Sequence, residues 1–95
     1  VNDMTKSELV EQLSAADPGL NKKEAELIVN TIFDSIGDAL VGGYRVEIRG
    51  FGSFSIRERD AREARNPKSG EVVKIPSKKT PFFKTGKELR ARVDS

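Results

Sequence analysis

Leu9, Val10, Leu13 and Ala16 recur at helical spacing, so the chain begins with a short amphipathic helix. Thr5-Lys6-Ser7-Glu8 ahead of it fits a capping box, with Thr5 capping the Glu8 amide and Glu8 reaching back. Asp17-Pro18-Gly19 ends this helix with turn chemistry. Asn21 and Glu24 repeat the cap-plus-acid pattern. Ala25, Ile28, Val29, Ile32, Phe33, Ile36 and Leu40 then make one apolar stripe along a longer helix, which Gly42-Gly43 stops. The two helices are expected to form a hairpin.

The period then changes from helical to alternating. Tyr44, Val46 and Ile48 alternate with Arg45, Glu47 and Arg49, which predicts a strand with one buried face. Gly50-Phe51-Gly52 permits a tight turn or a close backbone approach, and Phe54 and Ile56 continue a second strand. Residues 57–65 run Arg-Glu-Arg-Asp-Ala-Arg-Glu-Ala-Arg. Their propensity favours a helix, but no apolar stripe is present to dock one and a turn at Asn66-Pro67 and Gly70 follows. A ribbon strand is therefore expected, returning through Val72, Val73 and Ile75, with Pro76 and Pro81 at edge positions. Thr85-Gly86-Lys87-Glu88 is a third cap-plus-acid start, and Leu89 and Val93 predict a short closing helix. The expected fold is α+β: a helical hairpin, a three-stranded antiparallel sheet with a long protruding β-ribbon arm, and a short C-terminal helix.

Composition limits what such a chain is able to do. Apolar residues make up 36% and charged residues 34% of 95 residues, a low apolar share for a self-sufficient domain. A second copy would complete the burial, which predicts an intertwined dimer with Phe33, Phe51, Phe54 and Phe83 in its core. The three phenylalanines near the strands also suit a base-stacking platform, but dimer core is the better use of scarce large side chains. The net charge of +2 is unevenly spread. Residues 1–43 hold three Lys against eight Asp/Glu, and residues 44–95 hold fourteen Lys/Arg against seven. The basic half points to a polyanionic partner.

Cys and His are both absent, so disulfides, thiolate metal sites and the commonest general base are excluded. No clustered carboxylates sit beside a plausible pocket. Neither an enzyme, a metal site nor a cofactor is expected. No apolar run is long enough to span a bilayer. The only Met is Met4, so residues 1–3 are expected to be a cloning remnant and residues 4–95 a single domain, with its arm at about 57–79.

Three segments together carry a family likeness: Gly50-Phe51-Gly52-Ser53-Phe54, Arg65-Asn66-Pro67-Lys68-Ser69-Gly70, and Pro81-Phe82-Phe83-Lys84-Thr85-Gly86-Lys87-Glu88-Leu89. In order and separation they resemble the bacterial HU/integration host factor family, over about Met4 to Val93. Val46-Glu47-Ile48-Arg49-Gly50 and Gly86-Lys87-Glu88-Leu89-Arg90 look most like its beta-subunit branch. Two positions depart from the pattern. Ala64 replaces a usual Gly, which would stiffen or re-aim the arm, and Ser69 replaces a usual Thr while keeping the hydroxyl. Glu63 also puts a carboxylate where phosphates are expected to pass.

The resemblance implies an architectural protein of the bacterial nucleoid, and hence of the cytoplasm, that binds duplex DNA through phosphates and the minor groove and bends it. Pro67 alone reads as a turn proline; the family match makes it an intercalating wedge. The arm cations Arg57, Arg59, Arg62, Arg65, Lys68, Lys74, Lys78 and Lys79 either pair with neighbouring carboxylates or meet DNA. Arg62 and Arg65 suit a narrow minor groove, Asn66 suits base edges, and Lys74, Lys78 and Lys79 suit phosphates. Lys6, Lys87 and Arg90 lie at helix starts, where a phosphate clamp is expected. Arg49 is either solvated or a contact where the arm leaves the body. The partners expected are double-stranded DNA and a like or related subunit, with no membrane and no small-molecule substrate. An RNA-binding or ribosome-associated module and an arm-exchanging protein scaffold are the competing classes.

Overall fold

The computed structural model describes residues 3–95, so the first two residues of the expected remnant lie outside the described residues. The element order is α1 (Lys6–Ala16), α2 (Lys22–Val41), β1 (Val46–Ile48), β2 (Gly52–Arg59), β3 (Arg62–Arg65), β4 (Val72–Ile75), β5 (Lys78–Thr85) and α3 (Lys87–Val93). This is the α+β arrangement expected, and residues 57–65 are strand, interrupted at Asp60-Ala61, rather than helix. Contacts divide the chain into two units, residues 1–38 and 39–95.

In the first unit, the Thr5 side chain accepts from the Glu8 amide at 3.3 Å. The Asn21 cap is a full reciprocal box: Glu24 N–H donates to Asn21 Oδ1 at 2.8 Å, and Asn21 N–H donates to Glu24 Oε1 at 3.1 Å. Burial behind these caps is thin. Val10, Ala25 and Val29 are the buried apolar residues, with Leu13 packed against them. Of the predicted stripe on α2, Ile32 and Phe33 stay about half exposed, at 51% and 49%.

The second unit is built on an antiparallel sheet in the order β1-β2-β5, with β3-β4 as a separate two-stranded ribbon. Its turns depend on glycine. Phe51 N–H bonds Ile48 O at 2.9 Å across a turn whose Gly50 has φ +83°, where a side chain would strain. A Cβ on Gly52 would fall 2.5 Å from both the Lys84 carbonyl oxygen and the Phe83 ring. Gly50 therefore serves the turn and Gly52 the close approach.

Register fixes which residues share a face. Phe54 opposes Val46 and Phe83, Ile56 opposes Pro81, and Gly52 opposes Ile48. That face is apolar. Phe83 is its hub, with its ring centroid 4.8 Å from Phe54 and 5.5 Å from Phe51. Phe51 nevertheless remains 45% exposed and Phe83 36%. Pro81 sits on β5, an edge of the sheet, where the missing N–H costs no central ladder bond.

One expectation is corrected. The residue capping α3 is Gly86, not Thr85; Thr85 ends β5, and Gly86 makes no side-chain cap bond. The Gly86 N–H instead bonds Phe51 O at 2.8 Å and ties the helix start to the β1–β2 turn.

Replacing Gly52 by Ala is expected to lower the unfolding free energy by about 1–3 kcal/mol, since a backbone carbonyl cannot yield as a flexible side chain can. A urea titration measures this, and an unchanged midpoint would contradict the packing described.

Candidate nucleic-acid interface

The arm tip is a hydrogen-bonded device built from the sequence Asn66-Pro67-Lys68-Ser69-Gly70-Glu71. Asn66 N–H donates to Glu71 O and Gly70 N–H donates to Asn66 O, both at 2.8 Å. Inside that loop the Asn66 side chain accepts from Lys68 N–H at 2.9 Å, and Ser69 Oγ accepts from Glu71 N–H at 3.3 Å. Gly70 closes the loop at φ +75°. The Asn66 carboxamide oxygen is therefore engaged in holding the turn, while its NH2 group is the donor left for a base edge. Pro67 stands exposed at the outermost bend, where its fixed φ suits the turn.

Below the tip, β3 and β4 pair Arg62 with Ile75, Glu63 with Lys74, Ala64 with Val73, and Arg65 with Val72. Alternation then puts Arg62 on one face with Ala64, Val73 and Ile75. Arg65 lies on the other with Glu63, Lys74 and Val72. The two arginines nearest the tip thus look out from opposite sides of the ribbon. Ala64 is half-buried in regular strand, and Glu63 stands across from Lys74. The ribbon and the sheet are separate because Asp60-Ala61 and Pro76-Ser77 interrupt the pairing.

At the root of the arm, the sheet face opposite the phenylalanines is cationic. Register gathers Arg57, Arg59, Lys78 and Lys84 there, with Phe82, Thr80, Ser53, Ser55 and Glu47. Lys79 pairs with Glu58 on the apolar side, away from Lys78. Lys84 and Phe82 were not among the residues singled out from sequence. The signal for both was strand parity, since each lies an even number of residues from Lys78. Beside this face a shallow cleft is lined by Arg45, Arg49, Lys84 and Lys87, among others. Lys6 opens α1 and Lys87 opens α3, but Arg90 falls in the last turn of that seven-residue helix, not at its start as expected, and its N–H is already bonded to Gly86 O at 3.0 Å. Among the described residues, no group of three or more His, Asp or Glu side chains is arranged to hold a metal ion, and no helix is long and apolar enough to cross a membrane.

A sheet with one cationic face and a proline-tipped basic ribbon give the chain two basic surfaces suited to a polyanion. The chain belongs to the bacterial DNA-binding protein family, whose model matches residues 4–94. It is 58% identical over 91 residues to the integration host factor beta subunits of Ralstonia nicotianae and Burkholderia cenocepacia, covering 96% of this chain. The chain spans 66% of the first relative's length and 85% of the second's. Among solved structures, Anabaena HU crystallised with DNA aligns at TM-score 0.80 and 40% identity, covering 95% of this chain and 97% of that one. HU from Thermotoga maritima aligns at TM-score 0.64 and 32% identity, covering 95% and 98%.

Substituting Asn66 by Ala is expected to speed amide exchange at Lys68 and Gly70 while leaving the global unfolding free energy within about 0.5 kcal/mol, because every residue of the turn is exposed. Hydrogen-exchange NMR checks it; unchanged protection at Lys68 would remove the role given to the Asn66 side chain.

Proposed function

We propose that two copies of this chain, or one copy and a related subunit, form a dimer that binds duplex DNA and bends it. Residues 4–95 act as one DNA-binding module in the bacterial nucleoid. The observation that carries the proposal is the tip: an exposed proline held by its own hydrogen-bonded turn at the end of a ribbon lined with cations. The similarity to an HU solved with DNA supports the same partner.

In this mechanism the duplex lies on the cationic sheet face, against Arg57, Arg59 and Lys78. Each arm follows the minor groove. Arg62 and Arg65, on opposite faces of the ribbon, address the two walls of the groove, whose narrowing deepens the negative potential that attracts arginine. Lys68 and Lys74 meet phosphates along the arm, and the Asn66 NH2 group reaches a base edge; Lys79, on the phenylalanine side of the sheet, takes no part. Lys6, Lys87, Arg90 and Arg49 hold the flanking backbone as the DNA curves back toward the body. The Pro67 ring then parts a base step. It has no donor to leave unsatisfied and almost no side-chain entropy to lose.

Minor-groove wedging of this kind is the documented habit of architectural proteins, this family among them. Bending such a site costs on the order of 1–6 kcal/mol, and unstacking adds roughly a few kcal/mol per step. Phosphate contacts and the release of their counterions offset both. Specificity arises mainly from groove width and deformability, because few side chains are free to reach base edges.

Pro67→Ala is expected to reduce the bend far more than the affinity, measured by fluorescence transfer between the ends of a short duplex. An unchanged bend would remove the wedge. Affinity should also drop by about a thousandfold or more between 50 and 200 mM salt if six or more phosphates are neutralised. A flat salt dependence, or equal competition by structured RNA, would contradict duplex recognition through the backbone.

A further inference from the structure

On the cationic sheet face one arginine has a partner the others lack. The guanidinium carbon of Arg57 sits 3.4 Å from the centroid of the Phe82 ring. Arg57 is exposed on β2 and Phe82 half-buried on β5. Their strands are in register two places apart, since Arg57 opposes Thr80 and Ser55 opposes Phe82. The ring therefore lies diagonally beneath the arginine on the same face, within the reach that cross-strand diagonals allow. A flat guanidinium stacked at this distance is held in one plane, with its edge N–H groups directed outward.

We propose that Phe82 is a positioning residue for DNA binding: it preorganises Arg57 as a phosphate fork at the root of the arm. The inference rests on the reading of the sheet face as the duplex surface. Arginine carries much rotamer freedom, and ordering such a side chain on binding is costly. Stacking on Phe82 meets that cost before DNA arrives. It also leaves all five N–H donors free, because the ring occupies the flat face and not the edge. Arg57 stands where β2 gives way to the arm, so a fixed fork there sets the direction in which the ribbon leaves the sheet relative to the DNA backbone. Arg59 and Lys78, farther out on the same face, are given no ring by the register. A lysine at position 57 would keep the charge and lose the planar stack.

The test is a double-mutant cycle with duplex affinity measured across a salt series. Phe82→Ala is expected to weaken binding about two- to tenfold per protomer, the equivalent of one side chain's ordering cost, while leaving the salt slope unchanged because no charge is lost. Arg57→Ala is expected to reduce the slope by about 0.9 per protomer. In the Arg57→Ala background, Phe82→Ala should have no further effect on affinity. Phe82→Tyr should retain affinity and Phe82→Leu should not, which separates the ring from mere apolar bulk. Thermal unfolding of the free variants guards against a folding effect. Additive losses in the double variant, or a Phe82→Leu protein that binds as the parent does, would overturn the proposal while leaving DNA binding itself intact. If the parent protein retains no duplex at low salt, the function proposed above fails instead.

Discussion

Missing burial is the constraint on which the rest of this structure depends. Val10, Ala25 and Val29 are the buried apolar residues among those described, and no large side chain there is fully buried. Many other large apolar groups, among them Ile32 and Phe33 on α2 and the Phe51 and Phe83 pair on the sheet, keep a third or more of their surface in water. At about 25 cal/mol per Å2 such surface is a strong drive to find a cover. A chain of this size with this little interior is marginal alone, and the proposed dimer answers that need directly.

The same shortage leaves the other sheet face and the arm uncovered, as the proposed function requires. Strand alternation sends one set of residues toward the phenylalanines and leaves the alternate set, Arg57, Arg59, Lys78 and Lys84, facing away from them, with Arg57 packed on the Phe82 ring. In the arm the effect is stronger. Beyond Pro76 and Ala61 the ribbon is held by its own ladder and by the turn at Asn66. A thin, cationic, weakly supported ribbon is able to follow a groove because nothing in the body fixes it. Its tip is the exception, where four hydrogen bonds hold Pro67 in a fixed posture.

Much of this was legible from residue order. The helical stripes and the Asn21 and Thr5 caps mark α1 and α2, alternation marks β1 and β2, and Asn66-Pro67 with Gly70 marks the arm turn. The lack of an apolar stripe in residues 57–65 was enough to set strand over helix despite contrary propensity. What order alone did not convey was register. Which residues share a face across strands depends on how β2 meets β5, and that pairing gathered Arg57 and Arg59 with Lys78 and Lys84 and brought Phe82 under Arg57; the separation of Lys79 from Lys78 and of Arg62 from Arg65 follows from alternation within a single strand. Capping also misled at one point. Thr85 has the right chemistry for a cap, but β5 claims it, and Gly86 takes the position, where a Cβ would sit a tight 3.1 Å from the Phe51 backbone.

The most direct measurement is the thermal unfolding midpoint of the purified chain as a function of its concentration, without DNA. If a second subunit completes the missing interior, the midpoint rises steadily with concentration, because folding and association are one equilibrium. A midpoint that stays constant over a hundredfold range, in a sample whose solution mass is that of a single chain, would contradict the account.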